Sequence, residues 1–379
     1  MRVIVIGAGL GGLTLAHGLR QAGIDVAVYE QDEPQGRPQG ISLHFDDRAI
    51  TALRACLPSG HVAMIEATLG GPRNATQVLS EVDGELAVTG TRPSDGSPGR
   101  ARPGHQAHRP LLRQVLLTGL EDTVRFGARL TRFATLADGT VTAHFADGSS
   151  DTANVLVAAD GIGSAVRRQY LPDARVVDAG KRVLMGATPL RAVSATGLPE
   201  LIGDNPATLQ CGDAMIALGV LRFATPPLDA ARQWLPAANG AAIAEAEDFV
   251  MWALPVAQDR LGAAASPDAI WQRARGIAAD LHPTLGSIVD AAWPDVTFAH
   301  RVGVIPPLPP WPATAVTLIG DAIHLAPGFG GNLAMRDAQR LRDALVRAVQ
   351  GEQDLLGAIG SYEDTMRREN FPAVAGSRA

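Results

Sequence analysis

Three apolar runs in this 379-residue sequence end in glycine, and each has a carboxylate close by in the chain. The first is Val3-Ile4-Val5-Ile6, followed at once by Gly7-Ala8-Gly9-Leu10-Gly11-Gly12. In such a Gly-x-Gly-x-x-Gly turn the first glycine permits a tight bend and the second lets the backbone approach a pyrophosphate. The third lets helix and strand pack closely. The helix that begins there offers unpaired N–H groups and a positive dipole end to phosphate. Glu30 ends the next apolar run. A carboxylate there accepts both hydroxyls of an adenosine ribose and repels a 2′-phosphate, which suits FAD or NAD over NADP. Gly7, Gly9, Leu10, Gly12 and Glu30 are the cofactor-binding candidates of this unit.

The second run, Val155-Leu156-Val157-Ala158-Ala159, ends in Asp160-Gly161 and leads through Ser164 to Arg167. It reads equally as an ordinary strand-to-helix turn. The third, Val316-Thr317-Leu318-Ile319, ends in Gly320-Asp321 and continues through His324 and Pro327 to Gly330, Gly331 and Asn332. A carboxylate there can bind polyol hydroxyls, and a glycine-rich turn opening a helix offers N–H groups to an anion. His324 alone reads as a structural histidine.

These residues need strands and helices to hold them. Residues 2–6, 13–21 and 24–29 read as strand, helix and strand, with Gly23 as the helix cap. Residues 47–56 predict a helix stopped by Pro58-Ser59-Gly60. Residues 76–81 and 86–89 predict a hairpin turning at Asp83-Gly84. A helix over 110–120 has proline in its first turn. Strands are expected at 124–126, 130–135, 140–145 and 154–158. Residues 183–297 read as a mixed segment with helices at 241–250 and 267–281. A last strand at 315–319 precedes helices at 333–350 and 355–368.

Composition narrows the functions open to the chain. It is 46% hydrophobic and 19% charged, as in folded globular proteins. A net charge of −6 argues against nucleic acid as a partner. No apolar run reaches a membrane-spanning length, and the opening residues lack a leader pattern. Two cysteines cannot frame a small disulfide-bonded protein. The expected location is cytoplasmic. Positive charge is nearly all arginine, with Lys181 the lysine of the chain, so a single arginine is weak evidence of a site. Aromatics make up 4%, which predicts an aliphatic pocket. No metal-spaced Cys/His set and no Gly-x-Ser-x-Gly is present.

The order of the three motifs resembles the FAD-dependent aromatic hydroxylases of the para-hydroxybenzoate hydroxylase type. These single-component flavin monooxygenases include tetracycline-inactivating and polyketide-tailoring members. The resemblance implies an α/β fold, with a Rossmann-type, glutathione-reductase-like FAD-binding domain interleaved with a β-sheet substrate domain, plus C-terminal helices. The FAD-binding pieces would be 1–66, 107–168 and 301–350, the substrate domain 67–106 and 169–300, and the C-terminal helix 351–379. Glu30 would bind the adenosine ribose and Asp321 the pyrophosphate–ribityl region. Asp160 and Gly161 would support cofactor binding, and Arg109 would contact the flavin nucleotide. Pro327 and the glycines after it, Gly330 and Gly331 among them, would lie near the isoalloxazine, Asn332 would start the following helix, and Gly320 would belong to the same cofactor-binding motif. The family reduces FAD with NAD(P)H, adds molecular oxygen at the flavin C4a and transfers one oxygen atom from the resulting (hydro)peroxyflavin to an aromatic or polyketide-like small molecule.

By position in the family, the substrate lies between the two domains. Met185, Arg191, Met215, Leu221 and Phe223 are candidates to line it, and His44 is a candidate base for a phenolic proton. Each also reads as plain core or surface. The stretch from His324 to Asn332 is a few residues shorter than the family's usual loop, which removes N–H groups facing the flavin. A second reading is therefore an FAD-fold protein with non-redox or altered activity, acting as a cyclase, an isomerase or a binding partner. A plain nicotinamide dehydrogenase would need neither Asp160-Gly161 nor Gly320-Asp321.

Overall fold

Arg2–Ile6 is apolar and β-branched at four of its five positions, and it becomes the middle strand of a five-stranded parallel sheet. The computed structural model describes all residues except 37–39, 98–99, 213, 239, 263, 326–329 and 377–379. Across the sheet the order is Val316–Leu318, Val155–Ala158, Arg2–Ile6, Asp25–Tyr29 and Val124–Arg125. Ile6 pairs with Ala158 and with Tyr29, and Ala158 pairs with Leu318. All three motif strands are therefore neighbours, and their turns emerge at the same, carboxyl edge of the sheet. Helices Leu10–Gln21 and Gly330–Val349 pack together at that edge, where Gly11 and Gly320 make room for Ala334.

A second, seven-stranded sheet runs in the order Phe298–Val304, Val177–Pro189, Phe249–Ala257, Ala214–Leu221, Ala207–Cys211, Ala75–Val82 and Glu85–Pro93. Its pairings alternate side chains between two faces. One face carries Leu184, Ile216, Leu218, Trp252 and Leu254 into a core shared with helices Pro267–Ala278 and Pro283–Asp290. Gly186 is fixed by this core, because a Cβ there would come 2.3 Å from the Trp252 ring. A ribbon of Ser42–Asp46 and Gly104–His108 lies between the two sheets.

Most expected elements form within a few residues of their predicted ends. Asp83 and Gly84 both have positive φ, as the hairpin turn requires. The expected helix at 241–250 is the exception. Only Ala241–Ala244 is helical, and Phe249–Ala257 is a central strand paired on both sides. The alanine-rich run has local helical preference, but ladder pairing and burial of Trp252 decide the outcome. The final helix, Leu355–Gly376, is also longer than the expected 355–368.

Candidate functional site

The glycine-rich turn is shaped by close approach. Gly7 has φ +109°, and a Cβ on it would lie 2.3 Å from the Ala159 carbonyl oxygen. A Cβ on Gly12 would lie 2.1 Å from the Gly7 carbonyl oxygen, whereas one on Gly9 would meet nothing within 4 Å. Gly9 is the N-cap of helix Leu10–Gln21 and no side chain caps that helix. The helix therefore presents its first N–H groups across an open space, as an anion site requires.

Glu30 accepts the Ala8 N–H at 2.7 Å and the Asp32 N–H at 2.9 Å. One oxygen goes to each donor, which leaves acceptor capacity on both. Helix Arg109–Leu117 crosses above this end. Arg113 donates to the Pro34 carbonyl at 2.9 Å and sits in the fields of Glu30 and Asp32. One turn earlier on the same helix face, Arg109 sits in the field of Asp321. Burial pulls the Arg109 guanidinium down to about 10, which leaves it charged at neutral pH. One helix face thus presents cations to both the Glu30 turn and the Gly320-Asp321 turn.

Asp321 is half-buried, and its Oδ1 has no hydrogen-bond partner among the described residues. A Cβ on Gly330 would lie 2.4 Å from that oxygen, so Asp321 faces the start of helix Gly330–Val349. Burial raises its carboxyl, and the His324 and Arg109 cations oppose the rise. Asn332, fully buried, accepts the Asp46 N–H at 3.0 Å and donates to the His44 carbonyl at 2.8 Å. It ties the ribbon to the third motif. Asp160 accepts the Ala165 N–H at 2.7 Å at the start of helix Ala165–Tyr170, which Ser164 caps by accepting the Arg167 N–H. Gly161 has φ +68° in that turn. Pro327 lies outside the described residues, as does the middle of the short stretch between His324 and Asn332.

The second face of the seven-stranded sheet, away from the Trp252 core, is apolar and half-buried. Ala217, Ala253, Met185 and Phe298 stand in register in one row across four strands. Met185, Met215, Met251 and Phe298 are half-buried. Phe298 reaches the Gly40 backbone, with 3.1 Å to a Cβ built there. Leu221 lies deeper, in a buried cluster with Ile41, Ala187 and Phe249 that Phe223 packs against. Arg191 is exposed and paired with Glu247 at 3.1 Å. His44 is half-buried on the ribbon, with Nε2 3.0 Å from the Arg102 carbonyl, and burial lowers its pKa.

Sequence reasoning missed Met251, Phe298, Arg73 and Gln106. Strand alternation from Met185 could have found Phe298 once the register was known, while the helical reading of 241–250 hid Met251. Arg73 is 3% exposed and lies with the Gln106 amide over Gly219. Its Nε donates to the Asp204 carbonyl at 2.8 Å, and burial lowers its pKa to about 10. Among the described residues no cluster of His, Cys, Asp or Glu could hold a metal, and no helix is long and apolar enough to cross a membrane. Cys56 is buried and Cys211 exposed, both as free thiols.

Residues 5–37 match the NAD(P)-binding Rossmann-like domain family. An FAD-dependent urate hydroxylase of Klebsiella pneumoniae is 30% identical over 96% of this chain and 85% of its own length. The chain belongs to the FAD-dependent monooxygenases. The solved structure of Klebsiella pneumoniae HpxO complexed with FAD and uric acid superposes with a TM-score of 0.76 at 26% identity, covering all of this chain and 87% of that one. A dual O-methyltransferase/FAD-dependent monooxygenase of Cercospora beticola is 30% identical over 96% of this chain. The chain spans 44% of that fungal relative's length.

The residues present in this FAD-dependent monooxygenase chain fit FAD. Gly9 leaves open space at a helix N-terminus, Glu30 keeps acceptor capacity on both oxygens, and Asp321 Oδ1, without a hydrogen-bond partner among the described residues, can accept from a hydroxyl.

Proposed function

We propose that this chain is an FAD- and NAD(P)H-dependent monooxygenase that inserts one oxygen atom from molecular oxygen into an aromatic or polyketide-like small molecule. One observation carries the reading. The glycine turn, Glu30, Arg109 and Asp321 gather at one edge of the parallel sheet, and the seven-stranded sheet carries a separate half-buried apolar face. When bound, FAD supplies hydride acceptance from NAD(P)H and electron transfer to oxygen.

The chain's part is binding, orientation and exclusion of water. The Gly7–Gly12 turn and its helix hold the pyrophosphate, and Glu30 holds the ribose. Met185, Met215, Met251 and Phe298 wall the substrate side with polarizable apolar surface, which adapts to a flat ring system. His44 is the candidate base. Burial keeps its imidazole neutral at pH 7, and an Nε2–H donated to Arg102 makes Nδ1 the accepting nitrogen. Cytoplasmic residence and a substrate of small-molecule size fit this reading, and nucleic acid and membrane have no place in it.

The test is a flavin titration of the purified protein, followed by oxygen uptake with NADH or NADPH and a panel of phenols, purines and polycyclic aromatics. Flavin binding with substrate-stimulated oxygen uptake is expected. Failure to bind FAD overturns the reading. Flavin binding without NAD(P)H oxidation replaces it with the non-redox alternative.

A further inference from the structure

The C-terminal helix Leu355–Gly376 reaches the third motif through a chain of buried polar groups. Asp337, on helix Gly330–Val349, is fully buried. Its Oδ2 accepts the Gly320 N–H at 3.0 Å and the His324 Nε2–H. Its Oδ1 accepts the Asn370 amide at 2.8 Å. The same Asn370 nitrogen lies 2.9 Å from His324 Nε2, and its Oδ1 accepts from Arg336. Tyr362 donates to the Leu318 carbonyl at 2.8 Å, and Thr317 donates to Glu363 at 2.8 Å. The C-terminal helix thus holds the strand end directly, and reaches the turn and the imidazole through Asn370 and Asp337.

The charge balance gives this chain a role beyond support. Asp337 is a buried carboxylate, and such a group demands a cation. His324 is its contact partner, and Asp321 is a second carboxylate acting on the same imidazole. With His324 as imidazolium, the carboxylates Asp321 and Asp337 are matched by His324 and Arg109. With a neutral imidazole the set carries one excess negative charge where a pyrophosphate must approach.

We propose that the Asn370–Asp337–His324 chain is a positioning device, holding the Asp321 turn from the C-terminal helix and supplying the positive charge that makes the third motif receptive to FAD. The inference rests on the flavin reading above. Burial disfavours the imidazolium, but Asp337 and, after it, Asp321 outweigh it and raise His324 above its ordinary value. The other charged or titratable groups around the set are Arg336 and Arg340 on Gly330–Val349, Tyr362, Glu363 and Glu369 on the C-terminal helix, and Arg167, which bonds the Ala322 carbonyl.

The experiment is an FAD fluorescence-quenching titration of the full chain between pH 6 and 9, for wild type, His324→Gln, Asp337→Asn and Asn370→Ala. A nitrogen-15 histidine spectrum of the apoprotein accompanies it. Wild-type affinity is expected to fall as pH rises through the raised His324 pKa, with the His324 resonance losing its second proton over the same pH range. His324→Gln should bind about tenfold more weakly at pH 7 and lose that pH step. Asn370→Ala, which leaves the ion pair in place, keeps the test alive if the other variants do not fold. It should shift the step to higher pH, because the Asn370 amide hydrogens offset the Asp337 charge and face the imidazolium. Wild-type protein that binds no FAD removes the flavin reading and this inference with it. Variants with wild-type affinity and an unchanged pH profile, or a His324 that is neutral throughout the titration range, remove this inference alone.

Discussion

Arg167, from the helix after the second motif, donates from Nη1 to the Ala322 carbonyl of the third motif at 2.9 Å. Its Nη2 donates to the Ile162 carbonyl at 2.6 Å, and the residue is 3% exposed. The two carboxyl-edge turns are therefore locked by one guanidinium. Arg167→Met keeps the apolar stem and removes both bonds, leaving the buried Ala322 carbonyl and the half-buried Ile162 carbonyl without this donor. The expected cost is about 2 kcal/mol. Chemical denaturation of the apoprotein measures it, and an unchanged midpoint would show that water replaces the guanidinium.

Gly9 and Gly12 should separate binding from folding. A Cβ on Gly12 collides with the Gly7 backbone at 2.1 Å, so Gly12→Ala should destabilise the apoprotein by about 1–3 kcal/mol. A Cβ on Gly9 meets open space, and φ there is −79°. Gly9→Ala should therefore leave apoprotein stability within about 0.5 kcal/mol of wild type, yet weaken FAD binding by tenfold or more. Thermal melts and FAD titrations of the two variants decide this. Equal loss of stability in both would contradict the argument.

How far these residues were legible follows from the range of the interactions that place them. Gly7, Gly9, Gly12 and Glu30 announce themselves because a βαβ unit is built from local spacing, with Glu30 bonded to Ala8 only 22 residues away. That strands ending at residues 6, 158 and 318 lie side by side was implied by the motif order, not by any one segment. The sheet face was harder. Met251 shares a face with Met185 only through a register that no local pattern encodes, and helical preference nearby pointed the other way. Arg73 was lost among many arginines. Asn370 was invisible, because its meaning depends on a contact with His324, 46 residues upstream.

Glu30→Gln keeps the side chain's shape and an oxygen for the Ala8 N–H, but removes the charge and one acceptor. A carboxylate accepting ribose hydroxyls makes charge-assisted bonds, worth about 1.5–3 kcal/mol. FAD affinity should fall between roughly ten- and a hundredfold, with little change in the apoprotein melt. Isothermal titration with FAD and with riboflavin separates the contribution. Riboflavin, which lacks the adenosine ribose, should bind wild type and variant alike. A matching loss for both ligands would mean that Glu30 acts through the turn and not on the ribose.

Met185→Arg tests the apolar wall. Met185 is half-buried in the row between Ala253 and Phe298. A guanidinium there puts charge on the face assigned to the aromatic substrate. FAD affinity should stay at the wild-type value while KM for an aromatic substrate rises by tenfold or more. Steady-state oxygen uptake at saturating NAD(P)H measures it. An unchanged KM would move the substrate off this face.

Glu363 sets a pH dependence of stability that is separate from cofactor binding. It is 1% exposed on the C-terminal helix and accepts from the Thr317 hydroxyl at 2.8 Å. Burial is the largest influence on it and raises its pKa to about 7, from 4.5 in the unfolded chain. The folded protein therefore keeps a proton that the unfolded chain has already released. The resulting stabilisation is fully present below the unfolded pKa and is lost as pH rises through about 7. Glu363→Gln is permanently neutral and keeps an acceptor for Thr317. Its stability relative to wild type should rise by roughly 2 kcal/mol between pH 5 and pH 8.5. Urea unfolding at the two pH values measures the difference. A variant that tracks wild type at both would place the ionised carboxylate, at neutral pH, in a better-solvated environment than the strand beneath the helix provides.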